Sequence, residues 1–167
     1  RAALGLAALR AELSLSAAAR RECVAALQRP QPRSALGQAL RGVASAMLDV
    51  SDGLLGDLAH ILERSHVGAV LDAPSLPLAA LLATGAPPGS ARHCLLSGGD
   101  DYELLFTAAP GARATLGALG ARLGVALHRI GFITAQAGEI MLHEADGQRV
   151  SLAAAGYDHF ARKPAPS

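Results

Sequence analysis

With 167 residues, 51% of them hydrophobic and 17% charged, the chain is long enough to bury a core and too apolar to be disordered. A formal charge of +1, 3% aromatic residues and no Trp exclude the basic field and the stacking surfaces that grip nucleic acid. No apolar run approaches the ~20 residues that span a bilayer, no signal-peptide pattern is present, and Cys23 and Cys94 follow no metal-ligand spacing, so a reduced, cytoplasmic chain with incidental thiols is expected.

A helical pattern opens at once over residues 2–13, with no capping residue before it, although a helix start leaves backbone N–H groups in need of partners. The expectation is therefore a piece of a longer protein. A second helix starts near Ser16 and ends before Pro30, where Pro30 and Pro32 force a turn. A short helix over 34–40 leads into an apolar strand over 44–50. Residues 52–65 read as a helix with Leu54, Leu55, Leu58, Ile61 and Leu62 on one face. A strand at 68–71 follows, then a Pro-punctuated loop, a helix over 78–83 and a Gly- and Pro-rich loop over 84–90. A strand at 102–107 and a helix at 111–123 precede strands at 127–134, 139–144 and 149–152, the last two joined by an Asp146-Gly147 turn. The tail after Phe160 reads as frayed. Alternating strands and helices followed by a hairpin imply an α/β or α+β sandwich with a mixed sheet.

Two acidic clusters interrupt this plain background: Asp49-Val50-Ser51-Asp52-Gly53, and Ser97-Gly98-Gly99-Asp100-Asp101-Tyr102-Glu103. The first lies where a strand ends and a helix begins. Asp49 and Ser51 project to one side of the extended chain, and Ser51 or Asp52 is placed to cap the helix. The positive end of that helix suits phosphate oxygens, and neighbouring carboxylates tolerate phosphate only with a cation such as Mg²⁺ between them. Asp57, one turn further on, either adds to the site or favours the helix start. In the second cluster Gly98-Gly99 permits close backbone approach, and Asp100-Asp101 precedes a strand. Taken singly, each cluster suits a helix cap or a solvated turn; together they point to one metal–phosphate site.

At these residues the chain resembles the thiamine-monophosphate kinases. Residues 46–54 with Asp57-Leu58 and His60-Ile61 are similar to that family's central motif, and residues 97–104 to its second. Gly156-Tyr157-Asp158-His159-Phe160 resembles its C-terminal signature, and Arg29-Pro30 with Pro32-Arg33 the segment before the strand. The resemblance implies ATP-dependent phosphorylation of thiamine monophosphate to thiamine diphosphate, by Mg²⁺-assisted in-line transfer without a protein nucleophile. It implies Asp49 and Asp52 as Mg²⁺ ligands, Ser51 as an ATP contact, and Asp100 and Tyr157 as substrate contacts. Asp100 departs from the usual Glu and is one methylene shorter. The implied fold is a layered α/β/α sandwich with a mixed β-sheet over residues 1–162, followed by a tail at 163–167. The implied partner is an N-terminal domain with further metal-binding acids, ATP loops and the dimer-forming sheet of a homodimer, so the fragment alone is expected to be inactive. Two alternatives stand beside it. One is a related enzyme of the aminoimidazole ribonucleotide synthetase, selenophosphate synthetase or hydrogenase-maturation type; the other is a non-catalytic metal-binding module. His60 reads as structural, and Arg33 as a surface residue at a helix start.

Overall fold

The computed structural model describes residues 1–152 and begins with two packed helices, α1 (Ala2–Leu9) and α2 (Ala17–Gln28). Ser16 caps α2, its Oγ accepting from the Ala19 N–H at 3.2 Å. Helix α1 is shorter than the expected 2–13: it stops at Leu9, and Ala11 has a left-handed φ of 57° that no α-helix can continue. Gly5 permits the close packing of α1 on α2, because a Cβ there would collide with the Cys23 carbonyl. Leu4 and Cys23 are fully buried beside Leu81, Ala86, Ala91 and Cys94.

The chain continues through α3 (Ser34–Ala39), β1 (Ala44–Asp49), α4 (Leu54–Ser65), β2 (Gly68–Asp72), α5 (Ala79–Leu82), α6 (Pro88–Ser97) and β3 (Leu104–Ala108). It ends with α7 (Arg113–Leu123), β4 (Gly131–Thr134), β5 (Ile140–His143) and β6 (Arg149–Leu152). Helix α6 corrects the sequence expectation, which gave a loop over 84–90 and no helix after it. Pro88 occupies the first turn, where a missing N–H costs nothing, and so starts the helix rather than breaking it. Strand β4 begins at Gly131 rather than at residue 127, and β3 at Leu104 rather than at residue 102.

The strands fall into two sheets. Strands β1 and β3 form an antiparallel ladder with Leu48 opposite Leu105 and Asp49 opposite Leu104. The expected mixed sheet is the four-stranded one, ordered β4-β2-β5-β6, in which β2 and β5 run parallel and the other pairs antiparallel. The architecture is α+β.

The apolar stripe of α4 builds the main core and joins the sheets. Leu54, Leu55, Leu58, Ile61 and Leu62 cluster with Leu105 of the ladder and with Ala69, Leu71, Ile140 and Leu142 of the mixed sheet. Ala46, Leu48 and Val50 pack on the same cluster, as side-chain alternation along β1 requires. Leu104 and Phe106 pack instead with Leu36, Leu40 and Leu119, so elements around α3 and α7 cover the ladder's other face. Asp49, at the end of β1, is exposed. No helix among the described residues is long and apolar enough to cross a membrane.

Candidate functional site

Past Asp49 the ladder turns into a set of backbone bonds that draw the two acidic motifs together. The Val50 N–H donates to the Glu103 carbonyl at 2.8 Å, the Tyr102 N–H to the Val50 carbonyl at 2.9 Å, and the Asp100 N–H to the Ser51 carbonyl at 2.9 Å. Glycine makes the approach possible. A Cβ on Gly99 would collide with the Ser51 carbonyl, and one on Gly53, whose φ is 105°, would lie 2.8 Å from the Ser97 carbonyl carbon. Asp49, Ser51, Asp52 and Asp100 therefore share one end of one ladder, as charge crowding in the sequence led us to expect.

The first loop is not capped as expected. Gly53 is the N-cap of α4 and makes no side-chain cap bond. Asp57, 4% exposed, reaches back instead: its Oδ2 accepts from the Ser51 N–H at 2.9 Å and the Asp52 N–H at 3.0 Å. Hydrogen bonds to a carboxylate are stronger than neutral ones, so this buried group fixes the loop that carries Ser51 and Asp52. Those two amides are committed to Asp57 and are not a cradle for phosphate. Ligand atoms of Asp52, Asp57 and His60 lie within 4.8 Å of one another, the one such group among the described residues, and Asp49 is not in it. His60 sits on the face of α4 that Asp57 occupies, three residues on, a spacing visible in the sequence and passed over there.

The second loop spends alternate side chains on distant partners. Asp101 Oδ1 accepts from the Ala2 N–H at 2.9 Å, supplying from 99 residues away the acceptor that the Arg1 side chain does not provide. Glu103 receives a two-pronged bond from Arg33, Nε at 2.8 Å and a terminal nitrogen at 2.6 Å. This bond is the main cause that raises the Arg33 pKa further above its ordinary value. Arg33, read as a surface residue in the sequence, is thus tied to the second motif. Asp100 and Tyr102 alternate with these anchors and hold left-handed φ values of 66° and 51°.

Tyr157 and His159, with the rest of the C-terminal signature and the expected tail at 163–167, lie outside the described residues. Burial pushes up the thiol pKa of Cys23 and Cys94, which suits packing residues rather than nucleophiles. A hollow of about 320 Å³ near Glu12 and His93 shares no residue with either motif.

Residues 4–143 match the family model described as AIR synthase related protein, C-terminal domain. The chain is 44% identical over 133 residues to the thiamine-monophosphate kinase of Escherichia coli K12, covering 80% of this chain and 41% of that protein. It thus spans about two fifths of the length of such curated relatives. Among solved structures it is similar to thiamine-monophosphate kinase from Stenotrophomonas maltophilia K279a, with a TM-score of 0.72 and 42% identity over 88% of this chain and 47% of that one. AaThiL complexed with AMPPCP and TMP gives a TM-score of 0.66 and 26% identity over 93% of this chain and 47% of that one.

Proposed function

Because the chain belongs to the AIR synthase related family, whose C-terminal domain it matches, we propose that it is the C-terminal part of a thiamine-monophosphate kinase. The intact enzyme transfers the γ-phosphoryl group of ATP to the phosphate of thiamine monophosphate, giving thiamine diphosphate and ADP. The observation that carries this reading is the backbone zipper between the motifs, which gathers Asp49, Ser51, Asp52 and Asp100 at one end of the β1–β3 ladder.

The donor set fits Mg²⁺. Asp49 is exposed and Asp52 half-buried, and both offer the hard carboxylate oxygens that this ion takes. Bound there, Mg²⁺ would offset the charge of two phosphates brought together. Phosphoryl transfer between anions needs that neutralisation and in-line positioning more than it needs a protein base. Ser51 would contact ATP, and Asp100 and Tyr157 would contact thiamine monophosphate. Asp100 is shorter than the Glu usual in that family, which favours a water between it and the substrate. Asp57 holds the loop that carries Ser51 and Asp52. Residues 1–162 are assigned to the C-terminal domain. An N-terminal domain supplies further metal-binding acids and the ATP loops, and the intact enzyme is a cytoplasmic homodimer, a setting that suits two free buried thiols.

The full-length protein, given thiamine monophosphate and Mg·ATP, should form thiamine diphosphate and ADP, whereas residues 1–167 alone should give no turnover. Asp49→Asn and Asp52→Asn should each lower full-length turnover by roughly a hundredfold or more, the scale on which lost transition-state charge stabilisation acts. Unchanged turnover in both variants would refute a catalytic metal role. ADP formation with another phosphate or carbamoyl acceptor, and none with thiamine monophosphate, would assign the chain to a related ATP-using enzyme.

A further inference from the structure

Beside the motif zipper lies a cleft of about 430 Å³ whose walls include Pro30, Pro32, Arg33, Asp49, Tyr102 and Leu104. Its volume falls in the range of small-molecule sites. Two proline rings, a leucine and the phenol ring make its walls apolar, and the guanidinium of Arg33 is already matched by Glu103. Asp49 on the rim is assigned above to Mg²⁺, so the cleft's preference for charge comes from the face of the phenol ring, and the cleft suits a flat group that is apolar and cationic.

Tyr102 points the same way. A bulky residue at a φ of 51° is a backbone outlier, held here by the Tyr102 N–H bond to the Val50 carbonyl and by the Arg33 fork on the next residue. Core packing does not account for it, because the residue is 38% exposed. We propose that Tyr102 is a specificity-determining contact whose ring stacks on the cationic heteroaromatic ring of the substrate within this cleft. The inference rests on the function proposed above. A thiazolium ring tethered to a phosphate then lies over Tyr102 while the phosphate reaches the metal-binding side at Asp49. The tyrosine face attracts positive charge, and a neutral purine gains less from it.

Steady-state kinetics and thermal melts of the intact enzyme with Tyr102→Leu, Tyr102→Gly and Tyr102→Phe test the assignment. Phe keeps the aromatic face and should leave the KM for thiamine monophosphate within about twofold, while Leu and Gly should raise it about tenfold, with the KM for ATP unmoved. Tyr102→Gly also removes the left-handed strain, so it should melt at or above the wild-type temperature although it binds substrate worse. A purely structural tyrosine would lose stability and affinity together. As a probe of charge, the neutral thiazole phosphate lacking the pyrimidylmethyl group should compete less well than thiamine monophosphate in wild type, and that preference should shrink in Tyr102→Leu. An unchanged substrate KM in Leu and Gly, or a rise in the ATP KM instead, overturns the ring assignment while wild-type turnover preserves the functional reading. A wild-type enzyme that makes no thiamine diphosphate overturns both.

Discussion

In the loop over residues 50–53 the brace comes from five and six residues away, where Asp57 on the next helix binds two of its amides. The loop over residues 98–103 is braced from Ala2, 99 residues away, from Arg33, 70 residues away, and from the Ser51 carbonyl. Both loops end up at the same end of the ladder, yet the first takes its shape from its own helix and the second from the assembled fold. Asp52 is therefore presented by local structure, whereas Asp100 and Tyr102 are presented only when α1, α3 and β1 are all in place.

The comparison can be broken in three places. Asp57→Ala should have the largest effect on stability, about 2–4 kcal/mol by denaturant unfolding, because two amides lose a charged acceptor in a buried setting. A loss below half a kcal/mol would show that the first loop needs no brace. Gly99→Ala should cost about 1–3 kcal/mol, since its Cβ must displace the Ser51 backbone rather than a flexible side chain. A double-mutant cycle between the two sharpens the point: Ser51 touches both braces, so their effects should not add. Arg33→Ala, which breaks a largely exposed ion pair, should cost at most about 1 kcal/mol.

The smallest effect belongs to a pair far from either loop. Arg92 of α6 grips Glu144, just past β5, and that hydrogen bond holds the Glu144 carboxyl below its ordinary range. What this contributes to stability is whole above the ordinary glutamate pKa of about 4.3 and disappears as pH falls through the lowered native value. Arg92→Ala should therefore shrink the loss in urea midpoint between neutral pH and pH 3 relative to wild type. An acid limb identical in both proteins would remove this pair from the account.

Local signals made much of the fold legible. Ser16 announced α2, the Leu54–Leu62 stripe announced α4, and Asp146-Gly147 announced the β5–β6 turn. Helix α6 stayed hidden because Pro87-Pro88-Gly89 carries the residues of a loop, and only the position of Pro88 in a first turn turns them into a helix start. The site divides in the same way. Crowded carboxylates and paired glycines gave its location, since repulsion and close approach can be read from residue type. The roles of Asp101, Glu103 and Arg33 could not be read so, because each depends on a partner that folding brings near.

Cys23 gives the fold a built-in clock. Its sulfur is fully buried where α1 meets α2, and the Gly5 contact leaves no gap for a reagent. A thiol-reactive dye in excess can modify it only during the moments when the two helices part. With the second free thiol, Cys94, replaced by Ser, the labelling rate counts those openings in native buffer, without denaturant. Because α1 also leans on Asp101, the same rate should quicken in any variant that loosens the second loop.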